Sequence, residues 1–234
     1  MVVPPLWAPT ERAPVEELPE LSTAPGRREP GAGGERQRPW AKRWLMWQNT
    51  CQRLGHWRHF DSVLVVTLTA LSVGLRWRGL WVSYWGDEAI AIGIAAQPLG
   101  SLPHYLANDG SPPLYYAVLH YWMEVFGRSE VATHALSMIG AAAAVPATWW
   151  SGRRLFGAWA ARAAAAMVAT CAYLDYYATE TRMYSWLVLT AILAIACFVL
   201  AYRGAGRRYW VVAASFMVVA LYLHYYALYL LFAT

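Results

Sequence analysis

Apolar residues in this chain gather in long runs, without the strict alternation of half-buried strands. The runs lie at about 62–82, 131–150, 158–175, 183–202 and 209–223, and another starts near Ala227. Each approaches the ~20 residues that carry a helix across a bilayer. The pattern predicts an all-α protein, a polytopic transmembrane helical bundle over residues 61–234. Residues 1–39 are rich in Pro, Glu, Arg and Gly and lack apolar periodicity, so a disordered cytoplasmic N-terminus is expected there. No apolar core near Met1 suggests a cleaved signal peptide. Between these regions, Trp40, Trp44, Trp47, Cys51 and Leu54 recur at spacings of four and three among Lys42, Arg43, Arg53 and Arg58. That spacing predicts an amphipathic helix over 40–60, lying in the headgroup layer with its tryptophans as anchors.

Segment 112–126 departs from the series. It is apolar, but its roughly 15 residues would make a helix of only about 22 Å against a hydrocarbon core near 30 Å, and it contains His120 and Glu124. Charge distribution decides its placement. If 112–126 lies along the outer surface as a juxtamembrane helix, the loops holding Arg153–Arg154 and Arg203, Arg207 and Arg208 face the cytoplasm. Of 19 basic residues, only Arg76, Arg78, Arg128 and Arg182 then lie outside. If it crosses, both basic loops move outside, against the positive-inside tendency. The first placement is the expected one. It brings Asp87, Glu88, Asp109, Asp175, Glu180, Arg182 and His224 to one side of the membrane, where they can share a polar cavity.

Composition agrees with this picture and narrows the function. The chain is 58% hydrophobic and 14% charged, well below the ~25% charge of a soluble domain. Its net charge of +5 comes mostly from the N-terminal segment and the two basic loops, which suits anionic lipid better than nucleic acid. Cys51, Cys171 and Cys197 are scattered and give neither a metal-site spacing nor a disulfide framework.

Asp87 and Glu88, in Trp-Gly-Asp-Glu, stand where the first span leaves the bilayer, a costly place for carboxylates. Two readings fit. Asp87 can cap a helix beginning at Glu88. Alternatively, a partly desolvated carboxylate can accept a proton from an incoming hydroxyl, or the pair can ligate a divalent cation. Asp109 begins a turn, Asp109-Gly110-Ser111-Pro112-Pro113, whose prolines suit a helix start, although Ser111 could cap that helix equally well. Arg182, in a polar loop with Asp175 and Glu180, can hold a phosphate, reach lipid headgroups or pair with Glu180. His224, with Tyr225 and Tyr226, fits a phosphate or sugar contact and equally an aromatic interfacial belt. Arg76 and Arg78 are expected to snorkel to the headgroups. The Ala-rich stretches 141–144 and 161–166 predict close helix approach, and Pro146 predicts a kink.

Six motifs occur in order: Trp-Gly-Asp-Glu-Ala (85–89), Pro-Pro-Leu-Tyr-Tyr (112–116), Gly-x-Ser-Glu-Val-Ala (127–132), Gly-Arg-Arg-Leu-Phe-Gly (152–157), Glu-Thr-Arg-Met-Tyr (180–184) and His-Tyr-Tyr (224–226). Together they resemble polytopic glycosyltransferases of the GT-C class, in the mannosyltransferase-like branch related to protein O-mannosyltransferases. The resemblance covers about residues 62–234. It implies a polyprenyl-phosphate-linked sugar donor and transfer of mannose or another hexose or pentose. The acceptor would be a glycan, lipid or protein at the outer face of the cytoplasmic membrane. It implies Asp87 as the catalytic carboxylate with Glu88 beside it, single displacement with inversion, and substrate binding by Asp109, Glu180, Arg182, Tyr184 and His224. A divalent cation on Asp87 and Glu88 is an open expectation. The chain departs from the family pattern at Ser111, where His is common, at His134, where Arg is frequent, and at Thr179-Glu180-Thr181-Arg182. Enzymes of this type run to about twice this length, so a truncated product is expected. The competing functions are a lipid-linked-sugar flippase or transporter, which would bury charges near mid-bilayer between inverted repeats, and a non-catalytic membrane fragment.

Overall fold

The computed structural model describes residues 58–233, and among them every regular element is helical. The expected N-terminal segment 1–39 and the interfacial helix up to residue 57 lie outside the described residues. Ten α-helices follow in order: α1 (Arg58–Arg76), α2 (Gly86–Ala95), α3 (Leu102–Asp109), α4 (Leu114–Phe126), α5 (Glu130–Leu155), α6 (Ala158–Ala169), α7 (Ala172–Ala178), α8 (Tyr184–Tyr202), α9 (Arg208–Leu223) and α10 (Ala227–Ala233). A 3₁₀ turn, Trp77–Trp81, extends α1, and another at Leu99–Ser101 precedes α3.

Among the described residues, three helical stretches are long and apolar enough to cross a membrane: His59–Trp81, Glu130–Leu155 and Tyr184–Tyr202. Helix α5 is the central one, with 56% of its apolar window buried against 17% for α1. Its ends are set by local chemistry. The Ser129 hydroxyl caps the N-terminus by accepting from the Ala132 N–H at 3.3 Å. Glu130 in the first turn and Arg153 and Arg154 in the last complement the helix dipole. Small residues let the neighbours approach, as Gly152 shows: a Cβ there would stand 2.8 Å from the Ala161 Cα of α6.

The apolar stretch 158–175 divides into two helices at Thr170–Cys171. The cause lies in α1. Arg76, expected from sequence to snorkel, is instead buried at 2% exposure. Its guanidinium donates to the carbonyls of Ser72 (2.9 Å), Ala169 (3.1 Å) and Cys171 (3.4 Å) and to the Ser72 hydroxyl, and its Nε lies 3.7 Å from Asp175 Oδ1. Carbonyls released where α6 ends therefore find a charged donor, which lets the chain break helix and restart. Arg78 is exposed as expected.

Long-range hydrogen bonds show which helix ends meet. Leu80, just beyond α1, pairs with His134 near the start of α5, and Arg76 pairs with the end of α6. Ser137 in α5 donates to the Arg182 carbonyl before α8, and Trp186 in α8 donates to the Leu136 carbonyl. Tyr184 stacks near His224 at the end of α9, with centroids 5.5 Å apart. Hence the ends of α1, α6 and α9 and the starts of α5 and α8 converge at one end of the bundle. Helix α4 stays with them. Its Tyr115 and Trp122 reach Ser137 and Ala132 in the first turns of α5, and its 13 residues extend only about 20 Å. The opposite end carries Arg154, bonded to the Tyr209 hydroxyl, Arg203, bonded to the Leu155 carbonyl, and the buried pair Asp61–Arg162 at 2.7 Å.

Candidate active site

Helix α2 begins at Gly86 with Trp85 as N-cap, so Asp87 is not the cap that one sequence reading allowed. The capping carboxylate is Glu88, whose Oε2 accepts the Trp85 N–H at 3.2 Å. One residue is about 100° on a helix, and the two acidic neighbours part accordingly. Asp87 is exposed, whereas Glu88 is buried at 2%. Glu88 Oε1 also accepts the Thr181 N–H at 2.6 Å and faces His134 Nε2 at 2.8 Å. Burial alone would push the Glu88 carboxyl up, but the bonds from His134, Thr181 and Trp85 together hold it below the ordinary value. These contacts face Glu88 inward, whereas Asp87 is exposed. Among the described residues, no group of three or more His, Cys, Asp or Glu side chains is placed to hold a metal.

Arg182 is the hub of the exposed side. Burial lowers its pKa, but the Tyr184 hydroxyl, Tyr116 and the Asp87 carboxylate more than compensate, so it rests above the usual value. Its guanidinium carbon lies 5.8 Å from the centre of the Tyr184 ring. The Tyr116 hydroxyl donates to Asp109 Oδ2 at 3.0 Å, which links Asp109 to the Arg182 cluster through Tyr116. His224 is pushed down by burial and then by the positive charge of Arg182. Its Nδ1 accepts the Tyr226 N–H at 3.1 Å, so the neutral ring carries its proton on Nε2 and can donate from there.

Glu180 stands between the two groups. It is buried at 5% exposure, and its Oε1 has no hydrogen-bond partner among the described residues. Burial, reinforced by the nearby charge of Glu88, raises its pKa despite Tyr176, Arg182 and Trp85 beside it. An unbroken row of ring contacts flanks Arg182, from Tyr173 to Tyr177 (4.6 Å), Tyr184 (4.5 Å), His224 (5.5 Å) and Tyr226 (4.4 Å). Below it, an apolar groove of about 280 Å³ lies between α4, α8 and α9, lined by Leu114, Tyr115, Val118, Trp186, Val219 and Leu223.

The fold thus gathers Asp87, Glu180, Tyr184 and His224 around Arg182, with Asp109 joined through Tyr116. Asp175 is drawn instead to Arg76. Sequence reasoning did not assign His134, Thr181 or Tyr116 to this region. A signal for His134 was present: Glu130, Thr133, His134 and Ser137 form a polar stripe at helical spacing inside an apolar run.

A family model described as dolichyl-phosphate-mannose-protein mannosyltransferase matches residues 110–234, more than half of the chain. The chain belongs to this family. It is a membrane glycosyltransferase of mannosyltransferase type. No curated protein and no solved structure matches it. The matched region carries Glu180, Arg182, Tyr184 and His224; Asp87, Glu88 and Asp109 precede it and join the site through geometry.

Proposed function

We propose that this glycosyltransferase moves mannose, or another hexose or pentose, from a polyprenyl-phosphate-linked donor to an acceptor hydroxyl on a glycan, lipid or protein. Transfer takes place at the outer face of the cytoplasmic membrane. The observation that carries this reading is the convergence of Tyr184, Tyr116 and the exposed Asp87 carboxylate on the half-buried Arg182 guanidinium. The acceptor hydroxyl loses its proton to Asp87 as its oxygen attacks the anomeric carbon. The bond from that carbon to the phosphate oxygen breaks, and the phosphate leaves with the electron pair. One displacement inverts the configuration. Arg182 and the Nε2–H of His224 stabilise the charge that develops on the leaving phosphate. The apolar groove beside Tyr115 and Leu223 suits an isoprenoid chain continuing from that phosphate. Sidedness follows from charge: the far end of the bundle carries Arg153, Arg154, Arg203, Arg207 and Arg208, which favours the cytoplasm there.

The test is sugar transfer by the purified membrane protein from a synthetic polyprenyl-phosphate sugar. Asp87→Asn is expected to lose about 10²–10⁴-fold in kcat, the usual share of a general base, with donor binding retained. Wild-type turnover by that variant would remove Asp87 from the mechanism.

A further inference from the structure

We infer that Glu88 and His134 form a buried clamp that fixes the spacing between Asp87 and Arg182, and that both are positioning residues. The inference rests on the proposed roles of Asp87 and Arg182; the clamp's geometry stands apart from them. One oxygen atom, Glu88 Oε1, receives both the His134 ring at 2.8 Å and the Thr181 N–H at 2.6 Å. Asp87 is the residue before Glu88, and Arg182 is the residue after Thr181. The two groups assigned to proton removal and phosphate binding are therefore each one residue from an anchor on a single atom. His134 ties that atom to the bundle. Its Nδ1 lies 3.1 Å from the Leu80 carbonyl, which can only accept, so Nδ1 carries a hydrogen. Nε2 and Oε1 then share one proton, and the pair is neutral overall whichever atom holds it. That neutrality makes full burial of both side chains tolerable, at 0% and 3% exposure.

The surrounding bonds serve the same registration. Thr181 donates from its hydroxyl to Thr133 at 3.0 Å, Tyr84 meets that same Thr133 oxygen at 2.9 Å, and Ser137 holds the Arg182 carbonyl at 3.0 Å. Two chain segments, at Tyr84 and at Thr181–Arg182, are thus pinned to the first two turns of α5. An amide cannot replace the carboxylate. With His134 neutral and Nδ1 occupied, Nε2 needs a donor, whereas the Thr181 N–H needs an acceptor, and one amide atom cannot be both. Glu88→Gln therefore releases one anchor without a change in size.

The experiment measures kcat, donor KM and thermal midpoint for Glu88→Gln, His134→Gln, the double variant and His134→Arg in the full chain. A displacement of about 1 Å between reacting groups costs on the order of 100-fold in rate, so each single variant is expected to lower kcat about 10–100-fold. Donor KM stays within about twofold, because Arg182 itself remains intact. The double variant is expected to be no slower than the slower single, as for residues acting as a unit. His134→Arg, which donates to Glu88 permanently, is expected to retain kcat within about tenfold. Single variants at wild-type kcat, or losses that multiply in the double, overturn the clamp. If Glu88→Gln does not fold, His134→Arg decides alone: a folded enzyme with kcat cut a hundredfold refutes the proposal. An active Asp87→Asn enzyme would sink the assigned chemistry instead, and the non-additivity of the thermal midpoints would still report on the clamp.

Discussion

Arg76 gives the sharpest test of why the helix over 158–175 breaks where it does. Arg76→Met keeps an unbranched apolar stem but removes every donor. The Ala169 carbonyl, bonded at 3.1 Å, then loses its charged partner, at a cost of about 1–3 kcal/mol for a buried unsatisfied group. The Cys171 carbonyl, at 3.4 Å and only partly buried, adds roughly 1 kcal/mol or less. Asp175 is 54% exposed and 3.7 Å away, so its ion pair contributes under about 1 kcal/mol. Removing a buried charge relieves desolvation and offsets part of the loss. The net is about 1–3 kcal/mol, or a midpoint lowered by roughly 2–12 °C at this chain length. The assay is thermal unfolding in detergent, with Asp175→Asn as control. That control should stay within about 2 °C of wild type, because it spares the carbonyl contacts. Transfer activity should also fall in Arg76→Met, since α7 leads directly into Glu180 and Arg182. A wild-type midpoint for Arg76→Met, or an equal drop in Asp175→Asn, would show that the guanidinium does not cap the break.

Other substitutions probe packing and charge. Gly152→Val drives a side chain against the Ala161 backbone and is expected to cost about 1–3 kcal/mol, whereas Gly93→Ala, with open space around its Cβ, should be neutral or gain about 0.5–1 kcal/mol; midpoints in detergent compare them. Glu180 and Glu88 should respond to pH in opposite senses. The Glu180 pKa is raised on folding, so its contribution is present below the unfolded value near 4.3 and is lost as pH rises through the folded value. Glu180→Gln should therefore be more stable than wild type at pH 7, and the gap should close as the medium is acidified; a gap that widens in acid would contradict this. The Glu88 pKa is lowered, so its contribution is present above the unfolded value and disappears as pH falls through the folded one. The stability lost in Glu88→Gln should therefore persist at pH 7 and shrink only below about pH 4.

The bundle was legible in the sequence because lipid-facing helices need long apolar runs, and α1, α5 and α8 announce themselves that way. The shared end for the polar clusters was also legible, because few placements of 112–126 keep the arginine-rich loops together. What the sequence hid depends on contacts between distant residues. Ala169 and Cys171 look like the interior of one helix, and the donor that breaks it belongs to Arg76, 93 residues before Ala169. Asp87 and Glu88 look equivalent in a string; only the contacts of Glu88 with His134 and Thr181 set one inward while the other stays exposed. His134 stood out as a departure from the family pattern, yet its partner could not be named until Leu80 and Glu88 were both placed beside it.

These contacts share a geometric cause. Thr133, His134 and Ser137 lie on the face of α5 that meets α2, α4 and the turn before α8, within the first two turns of the most deeply buried long helix. Substrate-facing groups on loops are seldom held accurately by loop structure alone. Here Asp87, Arg182 and Tyr116 come from three different segments, and each is tied within a residue or so to that face, through Glu88 to His134, Thr181 to Thr133 and Tyr115 to Ser137. The stiffness of α5 is thus passed to side chains that it does not itself carry. A one-residue change in register along α5 would rotate its polar face by about 100° and release all three segments together. On the proposed roles of Asp87 and Arg182, their spacing is a property of one helix face, and the polar residues inside that apolar run are explained by it.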